Sequence, residues 1–209
     1  MPAMIQMSNG EQIPYNPVLE SGFYRADEIP PEVVWGIIKA SKHLAFVAAR
    51  KAYPKADLVC RVLSPQDLEQ TNIEWGDTTG ATANEWEDHL VVNKTIDDGK
   101  FIAIYGCRNH ILHMADTLPV TAFKFVVGGS EVARWELTKL FDVLTADGVT
   151  LASVVGGVYG GRLGITDAPI VVSEGISIDM DQWVATAATA FVISLEGIVV
   201  EKCGITLKP

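Results

Sequence analysis

The sequence predicts a mainly β protein: an antiparallel sandwich or barrel, preceded by an extended arm and one long α-helix. Short apolar runs follow one another after Gly99, several of them alternating with polar residues at period two. Turn signals rich in glycine separate these runs, as is typical of sandwiches and barrels. Apolar residues at helical spacing near the N-terminus predict the helix. Strand–helix alternation, the signature of a parallel α/β sheet, is not visible.

The predicted strands are short and rich in β-branched and aromatic residues. They cover residues 57–63, 101–107, 120–127, 133–137, 149–155, 176–180 and 191–200. The run at 101–107 is apolar on both faces, which predicts a strand covered on both sides. In the last run, Leu195 and Ile198 are both apolar, although a period of two places them on opposite faces of the strand. Because the period of a strand is two, this change of face predicts a β-bulge near Gly197.

The chain divides into three predicted parts. Residues 1–28 form an extended arm, 29–98 a helix followed by an acidic loop region, and 99–209 the β-sandwich, with one continuous domain over 29–209 as the alternative. The helix is predicted over 33–53, because Pro31 and Glu32 suit a first helical turn and Pro54 ends it. Its apolar stripe is rich in alanine, with members Val34, Ile37, Ile38, Ala45, Ala48 and Ala52.

Charge and cysteine content exclude some classes of function. The 209 residues carry a net charge of −10, which disfavours binding to nucleic-acid backbones and suits docking on basic neighbours. The three cysteines are an odd number without a close pair, so we expect reduced thiols and synthesis in the cytoplasm, without a secretory signal. The basic helix 33–53 admits contact with a membrane surface, but its alanine-rich stripe favours an ordinary amphipathic helix.

One cluster has the residue types of a metal site, namely Cys107, His110, His113 and Asp116. Its spacing of three fans the side chains over half of a helix, or sends them to alternate faces of a strand. The short spacings of structural zinc sites are absent. We therefore expect no metal and no cofactor, and locally hydrogen-bonded residues instead.

Other chemical motifs are weak. The glycine-rich stretch 156–164 lacks the Lys-Ser/Thr of a P-loop and predicts a wide hairpin loop, whose Tyr159 and Arg162 are candidate partner contacts. Asp179 and Asp181 place two carboxylates on one strand face, and a solvated face is the favoured interpretation over calcium binding. No nucleophile with its base and orienting group is recognisable, so we expect no catalytic residues.

The C-terminal half, about residues 100–204, resembles the single jelly-roll domains of bacteriophage virion proteins, both shell-forming and shell-decorating. The segments that carry this resemblance are, in order, 101–106, 121–129, 132–137, 168–172 and 191–201. The resemblance implies a jelly-roll sandwich, homo-oligomers that are often trimers, and the absence of catalytic residues.

The sequence therefore predicts a structural virion protein, a capsid shell or decoration (cement) subunit, that binds copies of itself and other capsid proteins. Its interface anchors would be Trp135, Tyr159 and Trp183, with charged rims that include Arg162. One alternative is a carbohydrate- or receptor-binding jelly roll with an exposed platform from Trp75, Trp86 or Trp183. Another is a metal-dependent β-fold enzyme using Cys107, His110 and His113.

Overall fold

A computed structural model describes residues 4–6, 12–14, 22–68, 75–88, 91–114, 116–141, 143–144 and 162–203. Within these residues one α-helix, α1 (Pro31–Ala52), accompanies three short 3-10 turns at Ala26–Glu28, Pro65–Leu68 and Thr138–Leu140. The strands are β1 (Met4–Gln6), β2 (Gln12–Pro14), β3 (Tyr24–Arg25), β4 (Leu58–Val62), β5 (Gly76–Thr78), β6 (Trp86–Asp88), β7 (Lys94–Thr95), β8 (Lys100–Asn109), β9 (His113–Met114), β10 (Val120–Val127), β11 (Ser130–Glu136), β12 (Val143–Leu144), β13 (Leu163–Val172), β14 (Ser177–Val184) and β15 (Ala190–Lys202).

Helix α1 has the predicted limits to within two residues. It begins at Pro31, whose ring pre-organises the first turn, and it ends just before Pro54. Ala52, which the sequence placed on the apolar stripe, is exposed. The face that the helix buries is narrow and built mostly of small residues: Ile37, Ser41, Ala45 and Ala49. Small side chains allow the helix axis to approach the sheet beneath it closely.

The first sheet contains six strands in the order β3-β13-β8-β15-β4, and β5 pairs with the start of β15. All of its pairings are antiparallel. Strand β8, near its centre, is buried on both faces, which confirms the covered strand predicted at 101–107. Ile102 and Ile104 pack toward the second sheet, whereas Phe101 and Ala103 pack toward α1.

The second sheet contains five strands in the order β11-β10-β14-β6, with β7 pairing farther along β14. These pairings are also antiparallel. Strand β10 has the predicted limits. In β14 the burial alternates strictly, since Ile178 and Met180 are buried while Asp179 and Asp181 are partly exposed. The period-two pattern read from the sequence is therefore confirmed here.

The described residues form three layers: α1, the first sheet and the second sheet. The core between the sheets draws on both of them, with Phe123, Phe125 and Trp135 from the second sheet packing against β8, β13 and β15. A second core lies between the first sheet and α1. The mainly β fold with one long helix is thus confirmed. No described helix is long and apolar enough to cross a membrane.

The bulge predicted near Gly197 is present. The pairing of β15 with β8 shifts register between Glu196 and Gly197. A Cβ atom on Gly197 would lie 2.9 Å from the carbonyl oxygen of Ala103 and 2.9 Å from a methyl group of Leu63. The extra residue is Tyr105 of β8, which the pairing skips. The side chains of β15 keep their faces across the bulge, since Leu195 and Val199 both pack between the sheets. The apolar phase changes in the sequence because Ile198 and Val200, on the opposite face, are covered by α1.

The strand pairing crosses the boundaries predicted at 28 and 98. Phe23 and Tyr24, from the predicted arm, are 7% and 2% exposed and belong to the two cores. Strands β4, β6 and β7, from the predicted helix and loop region, pair within the two sheets. Of residues 1–21 the structure describes only β1 and β2, which pair with each other. The strand predicted at 149–155 lies outside the described residues.

Candidate functional surfaces

The edge strands of the two sheets expose apolar side chains. In the described part of the chain, β4 pairs on one side with β15, and β11 on one side with β10. On β4, Val59 is 47% exposed and Val62 is 71% exposed, and on β11 Val132 is 51% exposed. The sequence did not predict these residues as contact residues. The available signal is that Leu58–Val62 is almost entirely apolar, although it lies at a sheet edge.

Trp135 is not a surface residue, which corrects its predicted role as an interface anchor. It is 2% exposed. Its ring stacks on Phe23, with centroids 4.8 Å apart, and lies 4.5 Å from the ring of Phe125. The sequence pattern placed Trp135 on the apolar side of its strand but could not say whether that side faced a partner or the protein's own core.

Trp183 lies on the outer face of the second sheet, where it meets Trp86 edge to face with ring centroids 5.4 Å apart. Both rings are half-buried. Lys124 Nζ and the Arg134 guanidinium lie over the ring of Trp86, at 5.0 and 5.3 Å from its centroid. Cation–π contact therefore occupies the ring that a sugar would need for stacking. Trp75, the third platform candidate, packs against the inter-sheet core.

Three carboxylates lie beside this tryptophan pair. Asp179 and Asp181, which the sequence placed on one strand face, are joined by Asp88 of β6, and ligand oxygens of the three lie within 4.8 Å of one another. Lys124 forms an ion pair with Asp181. The backbone N–H of Asn93 donates to Asp179. The surface is thus a mixed set of charges around two aromatic rings.

Arg162 forms an intramolecular ion pair with Asp27. Its guanidinium donates to Asp27 at 2.6 Å, and the side chain is 19% exposed. Hydrogen bonding from Arg25, together with the charges of Arg25 and Arg162, lowers the pKa of Asp27. Tyr159, the other predicted loop contact, lies outside the described residues. Arg162 therefore links β13 to the turn that follows β3.

The four predicted metal candidates do not meet. Cys107 is fully buried between the sheets, and burial raises the pKa of its thiol. His110 and Asp116 are exposed, and His113 is buried against the ring of Phe141. In the described ranges, the one group of three clustered ligands is the aspartate trio, not these residues. The ligand set of the metal-enzyme alternative is thus not assembled.

His110 takes part in a polar network on the helix side of the first sheet. Its Nε2 lies 2.9 Å from the hydroxyl of Ser194, which also lies 3.4 Å from Glu196, and Arg108 donates to Glu196 at 3.0 Å. Burial, and then the charge of Arg108, lower the pKa of His110. In a catalytic triad the carboxylate orients the histidine, whereas here Glu196 contacts the serine. The arrangement satisfies polar groups in the first half of β15.

Comparisons with known protein families, with curated proteins and with solved structures give no match to this chain. The order of the strands and the exposed surfaces of the two sheets therefore remain as the indications of function.

Proposed function

We propose that this protein is a structural virion protein, a capsid shell or decoration subunit with a jelly-roll body, and that it acts by self-association and by binding neighbouring coat proteins. The observation that carries this proposal is the pairing order of eight strands. In chain order these are β4, β6 with β7, β8, β10, β11, β13, β14 and β15.

The pairing has the order of a rolled hairpin. The first strand pairs with the eighth, the second with the seventh, the third with the sixth and the fourth with the fifth. Further pairing of the third strand with the eighth and of the fourth with the seventh places four of the eight in each sheet. This order, with every pair antiparallel, supports a jelly roll, a double-sheet fold found in viral capsids and also in lectins and enzymes.

Of capsid assembly, carbohydrate binding and catalysis, the exposed surfaces favour assembly. The described residues include large apolar side chains that stay exposed, with Trp35 at 61% and Val62 at 71%. Exposed apolar residues at a sheet edge are the contacts that an assembling subunit buries. The net charge of −10 suits neighbours with a basic surface and not a nucleic acid.

Sedimentation velocity of the purified protein tests the proposal. We expect symmetric homo-oligomers whose population grows with protein concentration, or co-sedimentation of the protein with particles of its virus. A protein that stays monomeric at the highest attainable concentration and also fails to bind particles contradicts it. A glycan array on the same sample tests the alternative of a carbohydrate-binding jelly roll. We expect no glycan binding.

A further inference from the structure

Strand β4 is an open edge whose backbone is ready to accept another strand. Its residues Leu58–Val62 pair on one side with β15, and no described strand lies on the other side. The side chains of Val59 and Val62 are 47% and 71% exposed. An edge of this kind offers a row of N–H and C=O groups to any chain that can pair with it.

The hydrogen bonds at both ends of β4 show which residues face outward. The N–H of Leu63 donates to Gly197 at 3.0 Å, and the N–H of Cys203 donates to Asp57 at 2.8 Å. In an antiparallel pair, hydrogen-bonded residues recur at every second position. The odd-numbered residues of β4 therefore bond to β15, whereas Leu58, Cys60 and Val62 direct their backbone groups to the open side.

We infer that β4 pairs with β4 of a second copy, antiparallel and about a two-fold axis at Cys60, so that the six-stranded sheet continues across the two subunits. In this register Cys60 faces Cys60 of the partner subunit, and Leu58 faces Val62 of the partner subunit. Each facing pair exchanges two N–H···O bonds. The inference rests on the proposed function, since it specifies one contact through which copies of the chain associate.

The side chains suit this register. Leu58 and Cys60 already pack against the core beneath α1, so Val62 points to the same side of the sheet. Across the axis an apolar row forms, in which the exposed Val62 gains the cover of Leu58 of the partner subunit. Cross-strand apolar pairs of this kind stabilise a sheet.

Charges on the other side of the strand are complementary. Asp57 is exposed, and it lies on the same side as Arg61, whose side chain is 38% exposed although its guanidinium binds Asp67 and Glu201. In the two-fold register Asp57 lies diagonal to Arg61 of the partner subunit, and the symmetry repeats the contact. Diagonal neighbours on one side of a sheet are within reach of long side chains.

Cross-linking at Cys60 tests the two-fold register directly. Facing residues of a hydrogen-bonded pair have Cα atoms about 5.5 Å apart, which lies within the range that a disulfide spans. We expect copper-phenanthroline oxidation, or a short bismaleimide, to convert the full-length protein to covalent dimers. C203S should cross-link as the wild type does. C60S, which keeps the partly exposed Cys203, should not.

A matched pair of edge substitutions tests whether β4 carries the association. Val62→Lys places an ammonium group at the open edge of the first sheet, and Val132→Lys places one at the edge of the second, where the native valine is 51% exposed. We expect V62K to weaken self-association at least about tenfold and V132K to change it less than about twofold. Thermal melting of both variants checks that they fold.

The outcomes separate this inference from the proposed function. A wild-type oligomer that neither cross-links at Cys60 nor responds to V62K overturns the β4 contact and leaves assembly standing. Association that V62K weakens without cross-linking at Cys60 also overturns the two-fold pairing, because another segment then occupies the edge. A protein that neither associates nor binds particles contradicts the proposed function itself.

Discussion

At the scale of single residues, Trp135 joins three parts of the chain. Its strand β11 is an edge of the second sheet, and its ring contacts Phe23, from the segment before the helix, and Phe125, from the neighbouring strand. The contact with Phe23 holds the segment before α1 against the sandwich. Trp135 therefore stabilises the fold and is unavailable to a partner.

Substitution of Trp135 tests this role. Trp135→Ala removes a fully packed ring, and we expect the free energy of unfolding to fall by about 3–5 kcal/mol. Trp35→Ala is the matched control, because Trp35 is 61% exposed on α1. We expect it to change the monomer's stability by less than about 0.5 kcal/mol. Urea unfolding of both variants at low protein concentration measures the difference, and equal losses would contradict the assignment.

His113 makes the stability of the fold sensitive to acid. It is 7% exposed, and its Nε2 has no hydrogen-bond partner among the described residues. Burial lowers the pKa of His113 below its ordinary value. The unfolded chain then takes up the proton more readily than the folded one. The free energy of unfolding should therefore decrease as the pH falls from about 6.5 toward the lower folded pKa.

The variant His113→Leu should lose much of this acid sensitivity. We expect the urea midpoint of the wild type to drop more between pH 8 and pH 5 than that of H113L. Part of the slope should remain in both, since burial and the charge of Arg108 also lower the pKa of His110. His43→Gln, at an exposed helix position, is the control and should behave as the wild type. An unchanged slope in H113L would show that His113 is not responsible.

At the scale of elements, the sequence showed where apolar and polar residues alternate along a strand. It did not show which part of the protein covers each face of that strand. The limits of α1 and β10 and the doubly covered β8 follow from local periodicity, which the chain carries at those positions. The bulge predicted near Gly197 is present, but its extra residue lies in β8. The apolar residues after Gly197 reflect cover of the second face of β15 by α1. The small strands β5, β6 and β7 were missed because two or three residues give no period. The assignment of Trp135 failed because alternation gives a side of a strand and not what covers it.

Two glycines test whether the bulge and the helix are built as described. An added Cβ on Gly197 meets Ala103 and Leu63 at 2.9 Å, whereas none of the described atoms lies within 4 Å of one on Gly36. We expect Gly197→Ala to destabilise the protein by about 1–3 kcal/mol, because a backbone oxygen must move. Gly36→Ala should stabilise it by about 0.5–1 kcal/mol through helix propensity. Differential scanning calorimetry would show opposite shifts of the melting temperature, and shifts of the same sign would contradict this account.

At the scale of the whole molecule, the net charge of −10 opposes association between copies and favours association with basic neighbours. Salt screens both effects, with a Debye length of about 10 Å at 0.1 M and about 3 Å at 1 M. We therefore expect self-association to strengthen as sodium chloride rises from about 0.1 to 1 M, and binding to viral particles to weaken. Sedimentation of the free protein and co-sedimentation with particles measure the two trends. We assign binding to the particle to charge and self-association to apolar contacts. If salt strengthened both, or weakened both, this assignment would be wrong.

If the two-sheet body is a building unit of a particle, cryo-electron microscopy of virions from the source of this protein should reveal it. We expect density for this body and its covering helix, repeated with the symmetry of the shell, either as the shell or seated upon it. Purified, intact particles in which the protein is undetectable by mass spectrometry, and whose shell density leaves no place for such a body, would contradict it.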